Sequence, residues 1–247
     1  LGAEIELLRF HYLYHDVIAR FVRGDYDGAV DAADRALALQ RYVVGFLEVP
    51  ELHFFAALAR AASTRASEQP AATIRKIEVH LSFLRGLAAR SPSSFGAREA
   101  LVTAEIHRLS GADLAAERGY ELAIRAARAA AQVHIEAFAN ECAARFHRMR
   151  GMDTIANAYL TEAHMCFEAW GAQQKARDMA RSFPFLSQQA VATGDLALIV
   201  KAQQAISSAL RLPDLYKRLL DVAIEHAGAR RGCLLQVECG RPLVVAA

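Results

Sequence analysis

Three points in the chain carry the same kind of helix break: Gly24-Asp25-Tyr26, Gly111-Ala112-Asp113 and Gly151-Met152-Asp153. Glycine ends a helix because it enters the left-handed conformation without a Cβ clash, and an Asp close behind it can cap the next helix. The last two breaks lie forty positions apart and the first two about twice that. A chain punctuated in this way is built from helix pairs. Each pair has an apolar face that it cannot bury alone, so neighbouring pairs must stack into a solenoid with a continuous core.

Composition agrees with that reading. Alanine is the commonest residue, β-branched residues are sparse, and 54% hydrophobic residues with only 6 Pro exclude wholesale disorder and an all-β fold. The 29 basic and 27 acidic side chains leave a formal charge of +2, which supplies no long-range attraction to nucleic acid or to a membrane surface. Cys142, Cys166, Cys233 and Cys239 show neither CxxC spacing nor a nearby His pair, so a zinc cage and a disulfide framework are not indicated and a reducing, cytoplasmic setting is expected. No apolar stretch reaches the roughly 20 residues of a membrane span. The chain opens on Leu1 and closes on the apolar run Leu243 to Ala247, so it is expected to be a piece of a longer protein.

The spacing predicts a first helix whose stripe is Ile5, Leu8, Tyr12, His15, Ala19 and Val22, ending near Gly24. A second follows, with Ala29, Ala33, Ala36 and Leu37 as a small-residue face. Further helices are expected over about Pro50 to Ala66, Ala71 to Arg90, Ala97 to Ser110, Leu114 to Gln132, Ile135 to Arg150 and Thr154 to Trp170, with breaks at Gln69-Pro70 and Ser91-Pro92 as well as at the glycines. The array so predicted covers 1–185. A polar joint at Ser187, Gln188, Gln189, Thr193 and Gly194 opens a linker and connector helix over 186–211. There Leu196, Ile199, Gln203, Ile206 and Leu210 follow the 3,4,3,4 spacing of a heptad seam. In 212–247, Pro213 starts another helix closed by Gly228, and Cys233 to Val237 with Leu243 to Ala246 reads as a β-hairpin across Gly240-Arg241-Pro242.

Several stretches carry a resemblance. GDYDGAVDAADRAL at 24–37 resembles the second helix of a tetratricopeptide repeat. ANAYLTEAHMCFEAWGAQQKARDM at 156–179, KAQQAISSAL at 201–210 and AGARRGCLLQV at 227–237 look, in that order, like one region of the large bacterial signalling proteins that join a serine/threonine kinase-like domain, a STAND-type ATPase, helical repeats, a GAF domain and a sensor histidine kinase. The match covers about 156–247, and Trp170-Gly171-Ala172 is its most distinctive piece.

The resemblance implies an all-α, tetratricopeptide-like helical-hairpin solenoid, then a connector helix, then the truncated start of an α/β GAF domain. It implies a non-catalytic segment that transmits a signal from an upstream nucleotide-binding module to downstream GAF and histidine kinase modules. Partners would be a protein or peptide on the concave solenoid surface, the neighbouring domains, and a twin chain through the connector, where Gln203 would set register. Packing of that seam on the last repeat is the equal alternative. ATP belongs to the parent protein, and no cofactor, metal or catalytic residue is assigned to this segment, which lacks GxxxxGK[ST] and the kinase glycine-rich loop. A free-standing repeat adaptor, or the effector-sensing arm of a transcription regulator, is the alternative function.

Other constellations read as structural. His11 and His15 share a helix face but lack a third ligand, and His164 stands two residues from both Glu162 and Cys166, so it points to a different side of the helix from either. Arg145, His147, Arg148 and Arg150, like Arg230 and Arg231, complement a helix C-terminus and stay solvated. Trp170, with Tyr159, Phe167 and Phe183 around it, fills the gap where stacking stops.

Overall fold

The computed structural model describes residues 2–43, 45–187, 220–221, 224, 233–238 and 241–246. The chain forms two compact units, Leu1–Arg181 and Ser182–Ala247. The helices are α1 (Gly2–Arg23), α2 (Tyr26–Leu37), α3 (Glu48–Ala62), α4 (Thr64–Glu68), α5 (Pro70–Ala88), α6 (Pro92–Leu109), α7 (Asp113–Ala129), α8 (Val133–Arg148), α9 (Asp153–Trp170) and α10 (Gln173–Ser182), with a 3-10 turn at Gln40–Tyr42. In the second unit β1 (Leu234–Glu238) pairs antiparallel with β2 (Arg241–Ala246), in the register Leu235 to Val244 and Glu238 to Arg241. The hairpin is the predicted one with shifted bounds: Cys233 precedes β1, and Arg241 and Pro242, expected in the turn, are paired in β2.

One turn recurs through the helical unit. Gly24, Gly111, Ala131, Gly151 and Gly171 all take positive φ, and the last four are twenty residues apart. At each, the N–H of the left-handed residue bonds the carbonyl three back, and the next N–H bonds the carbonyl five before it: Gly111 to Arg108 and Ala112 to His107, Gly151 to Arg148 and Met152 to His147. These paired bonds satisfy carbonyls that a helix end would otherwise orphan. Five residues after each glycine that opens a second helix or α10 stands a buried alanine, Ala29, Ala116, Ala156 and Ala176, which lets the helices of a hairpin approach closely.

Each helix from α1 to α8 packs on the next, α2 on α3, α5 on α6 and α7 on α8 as well as within the pairs, and α1, α3, α6 and α8 also touch in succession. Those four form an inner row. Burial is deepest in two helices of that row: α3 and α8 each bury eleven residues, whereas α2, α5, α7 and α9 bury five each.

Several expectations need correction. The stripe assigned to the core side of α1 is its solvent side: Phe10, Leu13, Val17 and Phe21 are buried, while Ile5, Leu8, Tyr12, His15 and Ala19 are exposed. The helix expected over Pro50 to Ala66 stops at Ala62, because Ser63 adopts an extended backbone and α4 follows separately. Residues 173–182 form α10, whose polar sequence buries only Ala176 and Met179. No helix among the described residues is long and apolar enough to cross a membrane.

Candidate functional site

The predicted seam, Leu196, Ile199, Gln203, Ile206 and Leu210, lies outside the described residues, as do Arg230, Arg231 and Cys239. Among the described residues the helical unit offers an aromatic interior, buried polar clusters and open apolar surfaces.

The interior is aromatic where inner helices meet. Phe21 of α1, Phe55 of α3 and Phe138 of α8 form a triangle with ring centroids 5.4, 5.6 and 5.5 Å apart. Phe138 continues to Phe167 of α9 at 5.3 Å and to Trp170 at 6.1 Å. Such edge-to-face contacts lock ring orientation as well as burying area. The concave surface expected for a partner is occupied at this level by these rings, because α1 and α8 approach each other closely enough for Phe21 to reach Phe138.

Next to the triangle lies a charged cluster. Glu105 of α6 is fully buried, accepts from the Tyr120 hydroxyl at 2.8 Å and from Arg108 at 2.6 Å, and faces Arg145 of α8 at 3.7 Å. Burial opposes its ionisation, but Arg108, Arg145 and the Tyr120 hydroxyl outweigh burial and hold its carboxyl below the usual range. Arg108 also donates to the Ala61 carbonyl at the end of α3, and Arg145 to the Tyr26 hydroxyl at the start of α2. One carboxylate thus ties α2, α3, α6, α7 and α8 together. Burial pushes the Cys142 thiol beside it up to about 12, so the thiol stays protonated.

A second cluster sits between α3 and α5. The His80 and His53 Nδ1 atoms are 3.1 Å apart, and His53 Nε2 is 3.2 Å from the Gln40 carboxamide oxygen. One arrangement satisfies all three groups: His53 donates from Nε2 to Gln40, and its bare Nδ1 accepts from His80. His53 must then be neutral, while His80 needs only a proton on Nδ1. Burial lowers His53 to about 4; burial, with Arg60 and His53 nearby, lowers His80 to about 3.

The cationic residues near the end of α8 are tied down rather than solvated. Arg148 donates to Asn157 at 2.7 Å, Arg150 pairs with Asp113 and lies over the Phe146 ring, and His147 stacks on Tyr159. Tyr159 therefore does not join Trp170 but donates to Glu121 at 2.5 Å, and the Phe183 ring meets Phe185. Trp170 stacks instead on His134, whose Nε2 lies 3.2 Å from Arg98; Arg98 also holds Glu51 at 2.5 Å and Gln132 at 2.7 Å. His11 is 4.0 Å from Glu48, and His164 3.7 Å from Glu168. No three metal-ligating side chains come together among the described residues.

Two apolar surfaces stand out among the described residues. One is the outer side of α1, with Leu8 70% and Tyr12 71% exposed. The other is an open cleft of about 650 Å³ floored by Glu99, Ala100 and Thr103 of α6 and walled by Leu114, Arg118 and Leu122 of α7.

No family model matches the chain, and no solved structure matches it. Among curated proteins, a stretch of 51 residues is 41% identical to hybrid signal transduction histidine kinase G of Dictyostelium discoideum. That stretch is 21% of this chain, and it covers 2% of the length of the relative.

Proposed function

We propose that this chain is a non-catalytic, tetratricopeptide-like solenoid that carries a signal and binds protein partners within a multidomain sensor kinase, feeding through a connector helix into a GAF domain. The observation that carries the reading is the run of left-handed turns at 111, 131, 151 and 171: helices of one pitch, each in contact with its neighbours, move as linked units rather than independently. The local identity to a hybrid histidine kinase supports a signal-transduction setting, and the paired strands β1 and β2 support reading the C-terminal segment as the opening of an α/β module. ATP would act in the parent protein at an upstream module, and the seam of Leu196, Ile199, Gln203, Ile206 and Leu210 would pass the change on, by pairing with a twin chain or by packing within the chain.

Hydrogen exchange of the complete protein with and without ATP tests this. Altered protection in α6 to α10 and in the connector is expected on nucleotide addition. Identical exchange in the two states would overturn the transmitting role.

A further inference from the structure

We infer that the cavity between the end of α3, α4 and the first turn of α5 is a binding site for a single phosphate group, carried by inorganic phosphate or by a small phosphomonoester. The inference stands apart from the transmitting role. It concerns the stretch of the helical unit that lacks the regular left-handed turns.

The cavity has a volume of about 90 Å³, which suits one tetrahedral oxyanion rather than a whole nucleotide. Three cations line it, Arg60 from α3, Arg65 from α4 and Lys76 from α5, and among the described residues no carboxylate does. Asp34 and Asp31 reach Arg60 and Arg65 from α2 without lining the cavity.

What those pairs leave over decides what the cavity takes. Arg60 is only 6% exposed; it spends Nη2 on Asp34, and its Nε–H is buried without a partner. A buried N–H of a charged group is costly to leave unpaired, and an anionic oxygen is the acceptor that relieves the cost best. The Arg65 pair with Asp31 is 3.2 Å long and more than half exposed on both sides, so it is weak and leaves further guanidinium donors for a ligand. Lys76 makes no ion pair among the described residues.

The backbone adds to the cations. Gln69 precedes α5 without making a side-chain cap, Pro70 follows it, and no acidic residue stands in the first turn. The N–H groups of Ala71 and Ala72 therefore lack a helical acceptor, and the positive end of a 19-residue helix meets the cavity at Ala72 and Thr73. The hydroxyls of Ser63 and Thr73 donate instead to the carbonyls of Arg60 and Arg65, at 2.8 and 3.4 Å. Their protons are spent, so binding falls to the cations and the helix end. Donors converging from three elements call for an acceptor with oxygens in several directions. A carboxylate presents two oxygens and one charge, whereas a phosphate monoester presents three oxygens and nearly two charges. Bound there, phosphate joins α3, α4 and α5 across the break at Ser63.

The probe is inorganic phosphate titrated into the whole 247-residue chain at constant ionic strength set with chloride, read by amide NMR shifts. Saturable shifts at Ala71, Ala72 and Thr73 are expected, with a Kd of about 1 mM or tighter. Lys76→Gln and Arg65→Gln should each weaken binding about tenfold. Arg75→Gln removes the same charge from α5 outside the cavity and should leave binding unchanged. Lys76 and Arg65 are exposed, so thermal melts of their variants in chloride should match the parent. Methyl phosphate binding more tightly than inorganic phosphate assigns the site to a monoester, and the reverse order assigns it to the free ion; either upholds it. No saturation up to about 20 mM phosphate, an equal loss from Arg75→Gln, or binding indifferent to Lys76→Gln overturns the proposal.

Discussion

Residues 92–171 and residues 26–91 reach the same packing, helix on helix, by different means. In the later stretch four helices repeat at a pitch of twenty residues, each ended by a left-handed residue with the same pair of backbone bonds. In the earlier stretch α2 leaves through a 3-10 turn, α3 stops at an extended Ser63, and α5 opens on Pro70. There side chains do what the turns do later: Arg60 pairs with Asp34, Thr64 donates to Asp27, and the two buried histidines join α3 to α5. Turn chemistry sets a pitch from local sequence. Where it is missing, contacts across the helices must hold the geometry.

The largest test strikes the point where both stretches meet. Glu105→Ala leaves Arg108 and Arg145 without their buried partner and should cost about 3–5 kcal/mol, read as a lower urea midpoint. Glu105→Gln keeps an acceptor for Tyr120 but not the charge, and should fall between the parent and the alanine variant. A loss below about 1 kcal/mol for Glu105→Ala would mean that the aromatic triangle alone holds the junction.

Acid separates the stretches next. His53 and His80 have lowered values in the folded chain, so the unfolded chain binds more protons below about 6.5. Their contribution to stability is whole above that pH and is lost as the pH falls toward about 4 and about 3. Glu105 also binds its proton more weakly when folded, but its contribution is lost only below the ordinary glutamate range, near 4.3. Burial lowers His134 and His147 of α8 as well, so between pH 7.5 and pH 5 amide exchange should rise in α3, α5 and α8 before it rises in α6 and α7. A His53→Leu/His80→Leu variant should flatten the urea midpoint over that interval. Uniform exchange along the helical unit would show that the stretches unfold as one.

A smaller effect probes close approach in the regular stretch. A Cβ on Gly119 would meet the Ala104 Cβ at 2.8 Å, so Gly119→Val must push α7 away from α6. The expected cost is about 1–3 kcal/mol in the same urea assay. The same change at Gly86 of α5, where nothing lies within 4 Å, should cost less.

How much of this was legible in the sequence follows from the same division. Gly24, Gly111 and Gly151 announce their turns because glycine is the residue that turns of this kind favour, and the forty-residue spacing comes with them. Ala131 completes the twenty-residue pitch without announcing itself: alanine enters the left-handed region only when its neighbours require it. The face of α1 was misjudged because the helix has two apolar stripes, and spacing alone cannot rank Phe10, Leu13, Val17 and Phe21 above Ile5, Leu8 and Tyr12. Glu105 gave no local signal, since Tyr120 and Arg145 reach it from α7 and α8. His107-Arg108, forty residues before His147-Arg148, was the available hint that these positions recur as helix-end anchors. The connector seam, which spacing picked out, falls on residues outside those described.

The smallest effect bears most directly on whether turns or contacts set the pitch. Ala131 at φ 53 and Gly151 at φ 72 sit in equivalent turns; Ala131 is exposed, and nothing lies within 4 Å of a Cβ placed on Gly151. Packing is thus nearly silent at both, and the backbone decides. Ala131→Gly relieves a left-handed cost of about 1–2 kcal/mol and adds about 0.4–1 kcal/mol of unfolded-chain entropy, so a net gain of about 0.5–1 kcal/mol is expected. Gly151→Ala reverses both terms and should lose about the same. Lying in separate turns, the two changes should nearly cancel in the double variant, to within about 0.5 kcal/mol. If Ala131→Gly instead destabilises the chain, the pitch of α7 and α8 is held by cross-helix contacts such as Arg128 with Glu136, and the regular stretch differs from the irregular one in appearance only.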